Sequence, residues 1–299
     1  MKKLGNDVYP FFFELPATAP ASVTLQPAPA DTGKPCGVDY ELKTYVADKE
    51  DENPQKRNSV SLAIRKLVYA PEEPGPQPCG ELTQEPMIGS GAVRLEASLE
   101  KDKYYHGEPI TISVMVDNNS SRNIKKIRVS IWQYADICLF STAQYKCIVS
   151  QIESSEGFPV RASQAGFCKV YQLTPLITYN QGKRGLALDG KLKLQDTNLA
   201  SSTISRRKVK FLGLEDSTLK ETIGIVVQYR IQVKLVMGFG ASDVILELPF
   251  TLTHPKPKAP EPVSQNGDFM SYGQMDMKNE DDFIFEDFAR LRLKDGFMG

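Results

Sequence analysis

Apolar and polar residues alternate through residues 223–235, which read IGIVVQYRIQVKL. Every second residue from Ile225 to Leu235 is apolar, and from Gln228 onward the residues between them are polar. Successive side chains of a strand point to opposite faces, so this pattern predicts a long strand with one buried and one solvated face.

The same period of two recurs along the chain. It is clear in residues 60–64, 110–116, 127–131 and 244–252, and residues 117–121 (DNNSS) have the composition of a turn. Short strands separated by turns predict an all-β fold of immunoglobulin-like antiparallel β-sandwiches. The first 69 residues offer four strand candidates, at 11–14, 22–26, 39–47 and 60–68. Such a sandwich takes about seven strands, so we expect the first one to be incomplete.

Chain length and the position of the prolines indicate how the chain is divided into domains. The 299 residues are enough for about two domains. Four prolines within residues 70–78 rule out a central strand there and indicate a stiff hinge. A polyproline ligand for an SH3 groove is the less favoured alternative for that segment. We therefore predict a partial first domain at 1–69, a hinge at 70–78, a second domain at 79–254 and a flexible tail at 255–299.

Charge and cysteine content narrow the function classes. Lys and Arg number 36 against 37 Asp and Glu, so the net charge of −1 argues against nucleic acid as a partner. No apolar run approaches the roughly 18 residues of a membrane span. The five cysteines are odd in number and form no CxxC pair, which is typical of reduced thiols in the cytoplasm.

Catalytic and metal-binding signals are weak. Only two histidines occur: His106 in a YHGEP turn, and His254 before Pro255. Taken singly, each reads as a structural residue, so we predict no metal site. No nucleophile stands beside a plausible base, so we expect no enzyme, with a hidden hydrolase as a remote rival.

Eight short stretches together resemble the arrestin family, and most closely its non-visual beta-arrestin type. They run in family order over nearly the whole chain: KPCGVDYE (34–41), KRNSV (56–60), YAP (69–71), YHGEP (105–109), QYADIC (133–138), LALDGK (186–191), DTNLASST (196–203) and FEDFAR (285–290). The resemblance implies two β-sandwich domains and a regulatory tail. It also implies binding of phosphorylated G-protein-coupled receptors, receptor desensitisation and internalisation, and links to the clathrin adaptor and to signalling kinases.

The resemblance also sets expectations for location and completeness. It implies a cytoplasmic protein recruited to the plasma membrane and coated pits through receptor or phosphoinositide, with the nucleus as a further location. Met1 corresponds to a point inside the family's N-domain, so its first strands have no counterpart here. The alternative is therefore a dominant-negative form that binds the adaptor but not the receptor, and a partial product is a third option.

By resemblance, a polar core senses phosphate. Its members match Arg65, Asp189, Asp196 and Arg290. Opposed charges hold the tail, and removing one partner of a buried pair costs about 3–5 kcal/mol. A receptor phosphate competes for the arginine and frees the tail.

Three further sets of residues carry binding roles by resemblance. The family positions that bind receptor phosphates correspond to Lys2, Lys3, Lys56, Arg57, Lys191 and Lys193. The family positions that bind the beta subunit of the endocytic clathrin adaptor correspond to Phe285, Phe288, Arg290 and Arg292. Phe285, Phe288 and Arg292 share one helical face. The family positions that bind inositol hexakisphosphate or a phosphoinositide correspond to Arg128, Lys146 and Lys234. This ligand is the one cofactor-like molecule expected.

Overall fold

Strands make up all the regular structure in the described part of the chain. The computed structural model describes residues 12–16, 19–46, 59–86, 89–138, 142–190, 197–204, 224–238 and 242–256. Fourteen strands lie within these ranges: β1 (Val23–Leu25), β2 (Gly37–Val38), β3 (Tyr40–Tyr45), β4 (Ser59–Ile64), β5 (Cys79–Gln84), β6 (Val93–Leu99), β7 (Lys103–Tyr105), β8 (Ile110–Asn118), β9 (Lys126–Cys138), β10 (Thr142–Ser154), β11 (Gln164–Leu173), β12 (Ala187–Asp189), β13 (Ile225–Val236) and β14 (Val244–Thr253). The all-β prediction is confirmed.

Two large sheets form a sandwich. One has the strand order β10-β9-β13-β14-β7 and the other the order β11-β8-β6-β5. Their facing apolar positions, such as Ile131 on β9, Ile231 on β13 and Ile112 on β8, are fully buried in one core. Burial alternates along β8 and β13 as the period of two predicts.

Two small sheets contain the strands from the first part of the chain. β3 pairs with β4, while β1 lies between β2 and β12. Strand β12 comes from residues 187–189, so a short strand of the predicted second domain pairs with a strand of the predicted first one. All fourteen strands lie within one compact unit, Thr18–Pro255.

Some local predictions differ from the structure. A strand is expected at residues 11–14, yet residues 12–14 lie in none. A strand is expected at residues 60–68, but β4 ends at Ile64, so Arg65 follows the strand and is not part of it. β8 continues through Asn118, because the Asn118 amide is buried and donates to the carbonyl oxygens of Arg122, Val160 and Arg161.

The proline-rich segment at 70–78 falls between β4 and β5 and contains no strand, as its composition predicts. Within the described ranges, no helix is long and apolar enough to cross a membrane.

Candidate functional site: a buried aspartate beside two histidines

Asp189 ends the three-residue strand β12 and is 3% exposed. On one side it is opposite Val23 of β1 in antiparallel register. On the other side its backbone N–H donates to the carbonyl of Asn198 at 3.0 Å, next to a bridge between Leu188 and Leu199. The carboxylate is therefore held at the point where residues 187–190 meet residues 197–200.

A buried amide fixes β12 to the five-stranded sheet. Gln133 on β9 donates to the Ala187 carbonyl at 2.9 Å and accepts from the Ala187 N–H at 2.7 Å. It also donates to the Tyr229 hydroxyl, which in turn donates to the carbonyl of Ala200 at 2.7 Å. Burial raises the pKa of Tyr229, so this hydroxyl remains a neutral donor. Because every member is satisfied, the network positions the strand that carries Asp189.

The Asp189 carboxylate has two described partners. Its Oδ1 accepts the backbone N–H of Ser201 at 3.2 Å, and its Oδ2 lies 2.5 Å from Nε2 of His254. The His254 side chain is 16% exposed and the Asp189 side chain 4%, so water screens this contact little.

The two histidines meet because of one strand pair. β14 and β7 run parallel, with Thr253 opposite Tyr105. His254 and His106 each follow directly, and their ring centroids lie 4.3 Å apart with 39° between the planes. The His106 N–H donates to the Thr253 carbonyl at 3.3 Å, and its Nε2 is 3.1 Å from the Ser201 hydroxyl.

Burial and the neighbouring His254 lower the pKa of His106 to about 4, and the Asp189 charge opposes this only in part. His106 is thus neutral near pH 7 and keeps a nitrogen lone pair. Ser201 and His106 do not form a hydrolytic triad with Asp189, because the described bonds of that carboxylate go to the Ser201 backbone and to His254.

The segment carrying Arg65 reaches the same place through Ser22. Ser22 and Lys66 are joined by two bonds of 2.9 Å, one from the Ser22 N–H to the Lys66 carbonyl and one from the Lys66 N–H to the Ser22 hydroxyl. The Ser22 carbonyl accepts the N–H of Gly190 at 3.2 Å. One residue therefore bonds both the neighbour of Arg65 and the neighbour of Asp189.

Most of the other predicted site residues lie outside the described residues. They are Lys2, Lys3, Lys56, Arg57, Lys191, Lys193, Asp196, Phe285, Phe288, Arg290 and Arg292. Their roles stay predictions.

The three residues predicted for an inositol phosphate lie on the solvent face of the five-stranded sheet. Arg128 and Lys234 are register partners on β9 and β13. Lys146 is opposite Tyr134, six residues further along β9, and its Nζ is 5.4 Å from the centroid of that ring. Arg128 pairs with Glu153 at 2.6 Å and Lys234 with Asp243 at 2.8 Å. The structure thus brings two of the three side by side.

The histidine–aspartate cluster is the feature that sequence reasoning missed. One potential ligand atom each from His106, Asp189 and His254 can be chosen so that all lie within 4.8 Å of one another. Weighing the two histidines separately predicted no metal site. The signal that could have found the cluster is the parallel pairing of β7 with β14, which sequence periodicity does not reveal.

Comparison with known protein families finds a match in each half of the chain. The N-terminal domain of arrestin (or S-antigen) matches residues 1–70, and the C-terminal domain of arrestin (or S-antigen) matches residues 89–257.

Individual proteins are similar over nearly the full length of this chain. Arrestin red cell isoform 2 of Oncorhynchus mykiss is 51% identical over 98% of this chain and 72% of its own length. Beta-arrestin-2 of Homo sapiens is 51% identical over 98% of this chain and 71% of its own length. Beta-arrestin-2 of Bos taurus is 49% identical over 98% of this chain and 72% of its own length.

Proposed function

Since this chain belongs to the arrestin family, and within it to the beta-arrestin type, we propose that it is a non-enzymatic adaptor for phosphorylated G-protein-coupled receptors. It would link them to the beta subunit of the endocytic clathrin adaptor and to signalling kinases, and so promote desensitisation and internalisation. Its place would be the cytoplasm, with recruitment to the plasma membrane and coated pits.

The observation that supports this proposal is the buried Asp189 at a junction of three chain segments. A buried carboxylate is held only while its partners remain, so it can act as one side of a two-state contact. Arg65 is half-buried and enters the same junction through Lys66 and Ser22. A phosphate sensor of the proposed kind would work because an incoming anion competes with carboxylates for the Arg65 guanidinium.

Receptor binding is tested with a receptor C-terminal peptide in phosphorylated and unphosphorylated forms. We expect the phosphorylated peptide to bind at least about tenfold more tightly, because it adds charge-assisted bonds. Release of residues 280–299, followed with a fluorophore near the C-terminus, should accompany binding. In Arg65→Glu, release should no longer require phosphate.

A matched control is Arg161→Glu, which reverses an exposed arginine of the sandwich region. It should behave as the parent chain does. Equal affinity for both peptides, together with a tail signal that Arg65→Glu leaves unchanged, would contradict the receptor role.

Adaptor binding is tested separately with the purified appendage domain of the adaptor beta subunit. Phe288→Ala should weaken binding at least about tenfold, because it removes an apolar anchor from one helical face. Phe283→Ala changes a phenylalanine off that face and should bind normally. Adaptor binding by the parent chain without phosphopeptide binding would favour the dominant-negative alternative. Unchanged adaptor affinity in Phe288→Ala would refute the assignment of the tail as the adaptor-binding segment.

An inositol phosphate ligand remains part of the proposal, centred on Arg128 and Lys234. These neighbours would exchange Glu153 and Asp243 for phosphate oxygens, while Lys146 stands further along the strand. Titration with inositol hexakisphosphate should show weaker binding in Arg128→Gln. Unchanged affinity there would remove this ligand from the proposal.

A further inference from the structure

We propose that His106, Asp189 and His254 form a binding site for a divalent transition-metal ion, with Zn²⁺ as the best fit. The ion would take one imidazole nitrogen from each histidine and the Oδ2 oxygen of Asp189. This inference goes beyond the proposed function and does not depend on it.

The ligand chemistry favours zinc. Two imidazoles and a carboxylate are a common three-ligand set for Zn²⁺, with a fourth position left for water. Zinc–ligand bonds of about 2.0–2.2 Å place the ligand atoms of one tetrahedral ion about 3–3.5 Å apart. The three atoms here already lie within 4.8 Å of one another, and His254 Nε2 and Asp189 Oδ2 would move apart from their present 2.5 Å to admit the ion.

The ion would sit between His254 and Asp189. These two now share a hydrogen across 2.5 Å, and zinc would take its place at Nε2 while the imidazole proton moves to Nδ1. The carboxylate keeps its Oδ1 bond to the Ser201 N–H, so Oδ2 is the oxygen available to the ion.

The surroundings hold the ligands in place. The parallel pair of Thr253 and Tyr105 sets the two histidines side by side, and the His106 backbone bonds the Thr253 carbonyl. The Ser201 hydroxyl lies 3.1 Å from His106 Nε2. It can orient the His106 ring by a hydrogen bond, or it can lie beside the fourth coordination position of the ion.

Cysteines are the main competitors in any zinc measurement. Cys36, Cys79 and Cys168 are free and exposed, and thiolates bind zinc well. A variant with serine at these three positions separates the two kinds of site.

The chain carries only two histidines, so a histidine-specific signal reports on this cluster alone. The experiment uses the full chain, treated with chelator, labelled with ¹⁵N in histidine and titrated with zinc chloride. We expect both imidazole signals to change together and to saturate at one equivalent, and the triple serine variant should respond in the same way. In His106→Gln, zinc affinity measured by calorimetry should fall at least about tenfold.

Three outcomes would overturn the proposal: imidazole signals that do not respond to one equivalent of zinc, equal affinity in His106→Gln, or loss of binding in the triple serine variant. Should His106→Gln fail to fold in chelator, Co²⁺ decides the matter in the triple serine variant. A visible spectrum of nitrogen and oxygen ligation supports the site, and a sulfur charge-transfer band, or no spectrum, rejects it.

Discussion

A single carboxylate, that of Asp189, links three parts of the chain. Burying it without partners would cost several kcal/mol, and the structure offsets this with a backbone N–H and an imidazole. Exposed ion pairs have no comparable requirement. Lys34 and Asp39 form one at 2.7 Å with side chains 78% and 61% exposed, where water competes for both.

Replacing His254 tests this contrast. In the presence of chelator, His254→Gln should lower the free energy of unfolding by roughly 1–3 kcal/mol, because it weakens a buried bond of a carboxylate. The double variant with Asp189→Asn should lose less than the sum of the two single losses. Urea unfolding measures all three. Lys34→Gln should leave the midpoint unchanged, and strict additivity of the first pair would contradict the coupling.

The Glu247 carboxylate makes the stability of the fold depend on pH. Burial by itself raises the pKa of Glu247, but bonds from Gln232, Arg230 and Tyr134 outweigh it and hold the pKa below its ordinary value. The unfolded chain therefore takes up this proton first as the pH falls. The stability that Glu247 contributes is present above about pH 4.5 and is lost as the pH falls through its folded pKa.

Glu247→Gln should accordingly flatten the fall in unfolding free energy with pH below about pH 4.5. Urea midpoints between pH 6 and pH 3 measure it. Glu72→Gln alters an exposed carboxylate and should keep the parent slope. A parental slope in Glu247→Gln would show that other groups carry the acid response.

Element length decides how well the sequence predicts this fold. Strands such as β8 and β13 are long and buried on one face, so the order of their residues alone reveals the alternation. β12 has three residues, all buried, and offers no alternation. Asp189 could be predicted as a site residue only by family resemblance. Its contact with His254 depends on non-local pairing that local patterns do not encode.

One glutamine, Gln133, should control the placement of β12. Gln133→Ala leaves the Ala187 N–H and carbonyl without their amide partner and should lower the free energy of unfolding by roughly 2–4 kcal/mol. Hydrogen exchange at the Ala187 amide should become faster. Gln144→Ala, which removes an exposed amide on the neighbouring strand β10, is the control and should change neither. Parental exchange at Ala187 in Gln133→Ala would contradict the role.

Across the whole molecule, burial is uneven. The sandwich encloses a dense apolar core, whereas Val60 in the two-stranded sheet β3–β4 is 58% exposed. Most of the free energy of folding should therefore come from the sandwich.

Two truncations of similar size measure this difference. Ile231→Ala should lower the free energy of unfolding by about 2–5 kcal/mol, because it leaves a cavity in a fully buried site. Val60→Ala should change it little, because its side chain already meets water. Denaturant unfolding compares the two. Comparable losses would mean that the small sheet contributes as much as the sandwich.

The backbone hydrogen bond between Asp189 and Asn198 has a consequence for how the sequence between them can change. Because the backbone bond between these residues closes the loop regardless of its contents, changing the loop's length adds only about 0.6 kcal/mol per doubling. The stretch between these two residues can thus change in length at little expense to the scaffold. Insertions and deletions in that stretch should therefore leave the architecture of the sandwich unchanged.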